Sequence, residues 1–139
     1  MRTKTGTGFS LIELLVVIAI AGILAAIAIP AYSGYILRGK LVEAFASLSD
    51  GRVKMEQYFQ DNRTYNCAGF TYTATQNFNY ACVTVNGLSY TLTATGINGT
   101  QTAGLSYTVD ESNNKATTSV PAGWVASASC WVTKPGGVC

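Results

Sequence analysis

The dominant pattern in the chain is a long apolar run from Phe9 to Tyr32, which contains one formal charge, at Glu13. A helix rises about 1.5 Å per residue, so a helix over this run would be roughly 36 Å long. The hydrocarbon core of a bilayer is about 30 Å thick. The pattern therefore predicts a helix that can span a membrane.

Two other interpretations of the run are a buried core helix and a secretory signal peptide. A soluble domain of this size seldom buries a helix on every face, which disfavours the first. A signal peptide ends in small residues after a short apolar stretch, and residues 21–28 include such residues. Glu13 and the Gly8–Phe9 junction argue against it, although the pattern alone leaves cleavage there open.

Helical periodicity continues beyond the apolar run. A second apolar stripe recurs at spacings of three, four and seven, with Arg52 interrupting it: Leu41, Phe45, Leu48, Met55 and Phe59. The stripe favours one long helix from Phe9 to about Gln60, whose second half packs on a sheet. The alternative is that the helix ends at Ile29.

Pro30 and Gly34 interrupt the helical pattern between its two halves. Proline inside a helix removes a backbone hydrogen bond and costs about 3 kcal/mol, and glycine costs about 1 kcal/mol relative to alanine. Residues 31–39 are therefore predicted to form a kink or a locally melted segment.

Strand patterns begin after a connecting loop over residues 62–78. Asn86-Gly87 is a strong hairpin signal, and the residues after it alternate apolar and polar as in a strand with one covered face. The sheet should occupy residues 79–120, ahead of an irregular C-terminal region, 121–139. Four strands are predicted: Tyr80–Val85, Ser89–Thr95, Leu105–Asp110 and Lys115–Val120. The fold class is α+β, a long helix packed on a four-stranded antiparallel sheet.

Charge is sparse and unevenly placed. The chain has nine Lys and Arg against seven Asp and Glu, but two of the basic residues, Arg2 and Lys4, precede the apolar run. The chain from Phe9 onward is thus close to neutral, and beyond Thr64 it has four charged residues: Asp110, Glu111, Lys115 and Lys134. Nucleic-acid binding depends on clustered basic residues, so nucleic acid is not expected as a partner.

Four cysteines and no histidine point to disulfides. Four cysteines allow three pairings. Their spacing does not fit a zinc site, and no histidine could complete one, so no metal is expected. Two disulfides are preferred over a metal site or free thiols. The sequence alone does not choose among the three pairings, and the nearest-neighbour pairing, Cys67 with Cys82 and Cys130 with Cys139, is the one we expect. Disulfides need an oxidising compartment, which places the C-terminal part outside the cytoplasm. Basic residues flank the apolar run on both sides and do not decide its orientation.

The sequence offers no catalytic residues. Without histidine, and with oxidised cysteines, no Ser-His or Cys-His pair can form. Asp110 and Glu111 are adjacent, but a solvated hairpin tip is a better interpretation than a calcium or catalytic site. No glycine-rich nucleotide loop is present. An enzyme is not expected, and neither is a cofactor.

The N-terminal residues resemble the processing site of the type IV pilins. A basic leader ends in Lys4-Thr-Gly-Thr-Gly8 and is followed by Phe9-Ser-Leu-Ile-Glu13-Leu. Carried over by position, the resemblance implies that prepilin peptidase removes residues 1–8 by cutting between Gly8 and Phe9, and that Phe9 is then N-methylated. Residues 9–36 would form the transmembrane and filament-core helix, and residues 37–139 the globular head, with the second half of the helix at 37–61.

A looser resemblance covers the second half of the chain. Ser89–Gly96, the turn at Asn113-Asn114, Gly123-Trp124 and Cys130-Trp131 are similar to the head of PilE-type minor pilins of type IVa pili. This implies a minor pilin that acts in pilus assembly, adhesion or twitching motility, with other pilin subunits as partners. It would lie in the bacterial inner membrane before assembly and in the extracellular pilus afterwards. The alternatives are a DNA-uptake pilin and a pseudopilin of type II secretion.

Glu13 is the candidate assembly residue. A carboxylate within a bilayer costs about 2.5–3.5 kcal/mol on insertion scales and needs a partner. In pilins this residue is understood to meet the α-ammonium of a neighbouring subunit, here that of Phe9. The alternative is that Glu13 stays hydrated near the membrane surface. Small residues on one side of the helix would permit helix bundling or serve as ordinary filler: Ala19, Ala21, Gly22, Ala25, Ala26 and Ala28.

Overall fold

The structure is a computed structural model that describes residues 9–69 and 72–139. The proposed leader, including Gly8, lies outside the described residues. The helix α1 runs from Leu11 to Asn62 and is followed by a short 3-10 helix, Cys67–Gly69. Four strands follow: β1 (Phe78–Val85), β2 (Ser89–Gly96), β3 (Ser106–Asp110) and β4 (Lys115–Ser119). They form one antiparallel sheet in the order β1-β2-β3-β4.

The chain divides into two compact units between Ile36 and Leu37. The element bounds lie within two residues of the sequence predictions, with the largest shifts at the start of β1 and at both ends of α1. The α+β class and the four antiparallel strands are confirmed.

In the second unit, α1 packs on the sheet through a stripe in which small residues alternate with large ones. Its buried residues recur every three or four positions: Leu41, Ala44, Leu48, Gly51 and Met55. Ala44 and Gly51 were missed because small residues give little hydrophobic signal, yet both are buried on this side of the helix. Phe45 and Phe59, predicted on the stripe, lie at its margins and are partly buried.

The sheet covers its inner face with alternate residues, as the pattern of β2 predicted. Tyr90, Leu92 and Ala94 are all buried there. Tyr107 of β3 is fully buried, and its ring lies edge-on to Phe45 with 5.0 Å between ring centroids. A single core therefore joins the helix and the sheet in this unit.

The hairpin between β1 and β2 is clamped against the end of the helix. Asn86 and Gly87 both have positive φ, of 51° and 68°, a combination that the Asn-Gly pair favours. The connection has three residues, Asn86–Leu88, because Val85 pairs with Ser89. The Tyr65 N–H donates to the Gly87 carbonyl at 2.9 Å. A Cβ at Gly87 would meet the Thr64 hydroxyl, which can rotate away, so the positive φ is the main reason for glycine there.

The C-terminal region is more ordered than the sequence predicted. An antiparallel bridge joins Thr117 of β4 to Ser127, and a second joins Lys134 to Val138. The structure pairs all four cysteines as nearest neighbours, Cys67 with Cys82 and Cys130 with Cys139. The first bond ties the loop after α1 to β1, and the second closes the end of the chain.

Buried phenols connect the helix to the sheet. The Glu56 carboxylate accepts hydrogen bonds from the hydroxyls of Tyr65 and Tyr90, both at 3.2 Å. The Tyr107 hydroxyl donates to the Val132 carbonyl at 2.9 Å. Burial raises the pKa of Tyr107, and burial together with the Glu56 charge raises the pKa of Tyr90. Both phenols are therefore held protonated by the fold.

Because these phenols are held protonated, we expect the free energy of unfolding to fall at alkaline pH. Because folding raises their pKa above the ordinary value of about 10, their contribution is complete below pH 10 and is lost as the pH rises further. We expect the free energy of unfolding to be level from about pH 7 to 9 and then to fall, by up to about 1.4 kcal/mol per pH unit for each phenol. Denaturant titrations at successive pH values measure this.

Tyr107→Phe is the matched variant for the alkaline experiment. It should lower stability at neutral pH, since the Val132 carbonyl loses its donor, and it should reduce the alkaline slope. An unchanged slope in this variant would show that Tyr107 does not contribute to the transition.

Candidate assembly site on the N-terminal helix

The first part of α1 exposes an apolar surface on all sides. Leu11 is 79% exposed and Ile29 is 68% exposed. The large apolar side chains between them are at least half exposed. The most apolar stretch has a mean hydropathy of 2.9 and no buried residue. In the part of the chain that the structure describes, α1 is the one helix long and apolar enough to cross a membrane.

Glu13 lies in the first turn of the helix and forms a capping box with Ser10. The Glu13 N–H is shared between the Ser10 carbonyl, at 3.1 Å, and the Ser10 hydroxyl, at 3.3 Å. The Ser10 N–H donates to the Glu13 carboxylate at 3.5 Å. This reciprocal arrangement satisfies backbone donors that a helix start leaves free. Sequence reasoning missed Ser10, although the Ser-x-x-Glu spacing is the signature of this motif.

The carboxylate of Glu13 has capacity left for a cation. Its two oxygens can accept about four hydrogen bonds in all, and the capping box uses one of them. Among the described residues, one salt bridge is formed, between Lys54 and Asp50 at 2.8 Å. Glu13 therefore has no cationic partner within that part of the chain. A negative charge on an apolar, exposed helix can thus receive a cation from outside this helix.

The helix continues through Pro30 and Gly34. Pro30 has no N–H to donate to the preceding turn, and the Ser33 hydroxyl donates to the Pro30 carbonyl at 2.9 Å. Residues 31–39 are helical throughout, so the structure has no melted segment there, and the kink stays a prediction.

Asp110 and Glu111 lie at the hairpin turn between β3 and β4, where both carboxylates accept hydrogen bonds. The Asp110 carboxylate accepts from both the backbone N–H and the side-chain amide of Asn114, each at 2.8 Å. Glu111 accepts from the Tyr90 N–H at 3.3 Å. The two carboxylates fix the β3–β4 turn, whose residue Asn113 has a φ of 61°. Within residues 9–69 and 72–139, no group of three or more His, Cys, Asp or Glu could hold a metal.

The fold is that of the type IV pilins. A solved type IV pilin from Shewanella oneidensis matches 68% of this chain and 97% of its own, with a TM-score of 0.53 and 17% identity. The non-core minor pilin PilV of Neisseria meningitidis matches 63% of this chain and 91% of its own, with a TM-score of 0.53 and 19% identity.

The family model described as "Type IV minor pilin ComP, DNA uptake sequence receptor" matches residues 30–110. The chain belongs to this family of type IV minor pilins. A second model, the prokaryotic N-terminal methylation motif, matches residues 5–29. The resemblance to type IV pilins is confirmed by these matches.

Curated relatives are fimbrial proteins. The fimbrial protein EcpC of Eikenella corrodens is 41% identical over 105 residues, which cover 74% of this chain and 65% of that protein. A fimbrial protein of Moraxella nonliquefaciens is 66% identical over 44 residues, 32% of this chain and 28% of that protein. The type IV major fimbrial protein FimA of Dichelobacter nodosus is 54% identical over 55 residues, 39% and 34% of the two chains. The chain spans less than two thirds of the length of each of these relatives.

Proposed function

We propose that the chain is a structural subunit of a type IV pilus, of the minor class, which assembles with other pilin subunits through its N-terminal helix. The observation that carries this proposal is an exposed apolar helix with one carboxylate, Glu13, joined to a disulfide-bonded head. The family and fold are those of structural pilins, which are not enzymes, and we expect no catalytic activity.

Processing by prepilin peptidase would prepare the helix for assembly. The methylation-motif match over residues 5–29 supports cleavage between Gly8 and Phe9 and N-methylation of Phe9. Cleavage removes a charged leader and creates a cationic α-ammonium at Phe9. Methylation keeps that charge, so the ammonium can still pair with Glu13 of another subunit.

Before assembly, the first part of α1 would anchor the subunit in the bacterial inner membrane. We propose that the head then lies in the periplasm, because both disulfides are in the head and need an oxidising compartment. In the filament the same helix would leave the lipid and pack among the helices of other subunits, and the head would become extracellular. Adhesion and twitching motility are the proposed uses of such a filament.

Mass spectrometry of filaments sheared from the cell surface tests this proposal. We expect peptides of this chain at low abundance, an N-terminal peptide that begins at N-methylated Phe9, and disulfide-linked peptides that join Cys67 to Cys82 and Cys130 to Cys139. Absence of the chain from filaments that contain the major subunit would overturn the proposal. An N-terminus elsewhere would overturn the proposed processing while leaving the assembly proposal to stand on its presence in the filament.

A second candidate function is binding of DNA during uptake. The specific observation in its favour is the family match over residues 30–110, whose description is a DNA uptake sequence receptor. The charge distribution weighs against it, since beyond Thr64 the basic residues are Lys115 and Lys134, and Lys54 is paired with Asp50. Neutralisation of DNA phosphates by clustered Lys and Arg side chains supplies much of the affinity of DNA-binding proteins.

Competition binding distinguishes the two candidates. Full-length protein in detergent micelles is mixed at low salt with labelled duplex DNA from the source bacterium, and unlabelled DNA from the same or an unrelated bacterium is added. A receptor for a repeated uptake sequence should prefer DNA of its own genome by at least about tenfold, a modest threshold beside the roughly 10³–10⁷-fold typical of specific over non-specific binding. Equal competition by both DNAs would contradict the second candidate and would not affect the first.

A further inference from the structure

The β3–β4 turn and the C-terminal segment enclose a pocket that the proposed function does not use. The pocket has a volume of about 350 Å³ and is a shallow, solvent-open depression. It is lined by Asn113, Asn114, Lys115, Ala128 and Ser129. Ligand pockets in proteins typically span roughly 300–1,000 Å³, so this one has room for a ligand of about the size of one or two sugar rings.

The walls of the pocket are held in place by contacts within the head. Asn114 is fixed by its two hydrogen bonds to Asp110. The opposite wall is joined to β4 by the reciprocal backbone bonds between Thr117 and Ser127, at 2.7 and 3.3 Å. The disulfide from Cys130 anchors the segment immediately after that wall. A site with fixed walls loses little conformational freedom when a ligand binds.

Lys115 is the basic residue among those that line the pocket. Its ammonium lies 4.6 Å from the centroid of the Trp131 ring, a distance at which a cation is attracted to an aromatic ring. In the described part of the chain no carboxylate lies within ion-pair distance of it. The ammonium therefore has donors available for an anionic ligand.

The other polar groups of the pocket suit a ligand rich in hydroxyls. The Asn114 amide nitrogen is used by Asp110, which leaves its carbonyl oxygen as an acceptor. Asn113 adds a second amide, and Ser129 adds a hydroxyl. Amides and hydroxyls can both donate to and accept from a hydroxyl group. Ala128 also lines the pocket, and its small side chain takes up little of the volume.

Trp131 is not available as a stacking platform in this pocket. Phe45 stacks on its ring with 4.9 Å between centroids and an interplanar angle of 10°, and Lys115 also lies over the ring. The Trp131 indole N–H is used by the Thr108 carbonyl at 2.8 Å. Single-stranded nucleic acids are bound through aromatic stacking and basic grooves, and this pocket offers one cation and no free ring.

We propose that this pocket binds an acidic sugar, a uronic acid residue of a polysaccharide. Its carboxylate would pair with the Lys115 ammonium, and its ring hydroxyls would bond to Asn113, the Asn114 carbonyl oxygen and Ser129. The proposal depends on the head alone, so it is independent of how the N-terminal helix is processed or assembled.

Saturation-transfer NMR on the full-length protein in detergent micelles tests the proposal, with glucuronate as the probe and glucose and glucose 6-phosphate as comparison ligands. We expect saturable transfer to glucuronate and at least about tenfold weaker binding of glucose, because a hydrogen bond to a charged group contributes more than a neutral one. Equal binding of glucose, or preferential binding of glucose 6-phosphate, would overturn the assignment of a carboxylate-bearing sugar.

Three variants locate the binding. Lys115→Gln should weaken glucuronate binding at least about tenfold, and Ala128→Phe should abolish the transfer by filling the pocket while leaving the charge intact. Lys134→Gln removes a lysine that does not line the pocket and should change binding less than about twofold. Unchanged binding in both pocket variants would overturn the proposal. Displacement of glucuronate by duplex DNA at low salt, with no effect of Ala128→Phe on the DNA, would also do so.

Discussion

A chain carrying Glu13→Ala is expected to be inserted and cleaved normally but to fall at least about tenfold in sheared filaments. A carboxylate in an apolar helix costs about 2.5–3.5 kcal/mol in the membrane, and a cation from a neighbouring subunit would offset that cost in the filament. Alanine removes both the cost and the attraction. The membrane-inserted state is therefore favoured, and the preference for one register against neighbouring subunits is lost.

Two further variants separate the charge of Glu13 from its role in the helix start. Glu13→Gln removes the charge, but glutamine can still complete the capping box with Ser10. Ser10→Ala removes the hydroxyl that caps the Glu13 N–H, at a cost of about 0.5–2 kcal/mol, and keeps the charge. If the charge matters, Glu13→Gln should resemble Glu13→Ala, and Ser10→Ala should still enter filaments.

Immunoblots of the sheared and cell-associated fractions measure all three variants, and the size of the cell-associated band reports cleavage. Normal incorporation of Glu13→Gln would contradict a role for the charge. A loss in Ser10→Ala as severe as in Glu13→Gln would instead assign the effect to the start of the helix. Failure of cleavage in Glu13→Ala would move its role to recognition by the peptidase.

The elements of the fold could be predicted from the sequence because their signals are local. The 3.6-residue and two-residue periodicities report which side of a helix or strand is covered, and they placed α1 and the four strands to within one or two residues. The alternation of Tyr90, Leu92 and Ala94 in β2 is the clearest case. The cysteine pairing was expected to join nearest neighbours without a signal that selects it, and the structure contains that pairing.

The contacts that could not be predicted are those between segments distant in sequence. Ala44 and Gly51 are buried, but a pattern of large hydrophobic residues does not reveal the burial of such small ones. The two phenols that meet Glu56 come from the loop after α1 and from β2. The pocket beside Lys115 requires that residues 128 and 129 return to the β3–β4 turn. In the candidate assembly site, Glu13 was predicted, whereas its partner Ser10 had a local signal that was overlooked.

Two backbone segments come very close together at Gly96, so even an alanine at this position should strongly destabilise the head. Gly96 ends β2, and its N–H donates to the Leu105 carbonyl at 2.8 Å. A Cβ at this position would overlap the carbonyl oxygen of Thr102 and lie 2.6 Å from the carbonyl carbon. The obstacle is backbone, which cannot rotate away as a side chain can. Thr102 is itself fully buried, and its hydroxyl donates to the Asn77 carbonyl at 2.7 Å.

Gly96→Ala is therefore expected to lower the free energy of unfolding by about 3 kcal/mol or more, at the upper end of the cost of overpacking. Gly39→Ala is the matched control, because beyond the local backbone of α1 nothing lies within 4 Å of the added carbon, and it should raise stability by about 0.5–1 kcal/mol. Denaturant unfolding of the full-length chain in detergent, followed by tryptophan fluorescence, measures both. A loss below about 1 kcal/mol in Gly96→Ala would mean that the 97–104 loop can move away from β2. That result would contradict the inference that the Thr102 backbone is held in a fixed position against Gly96.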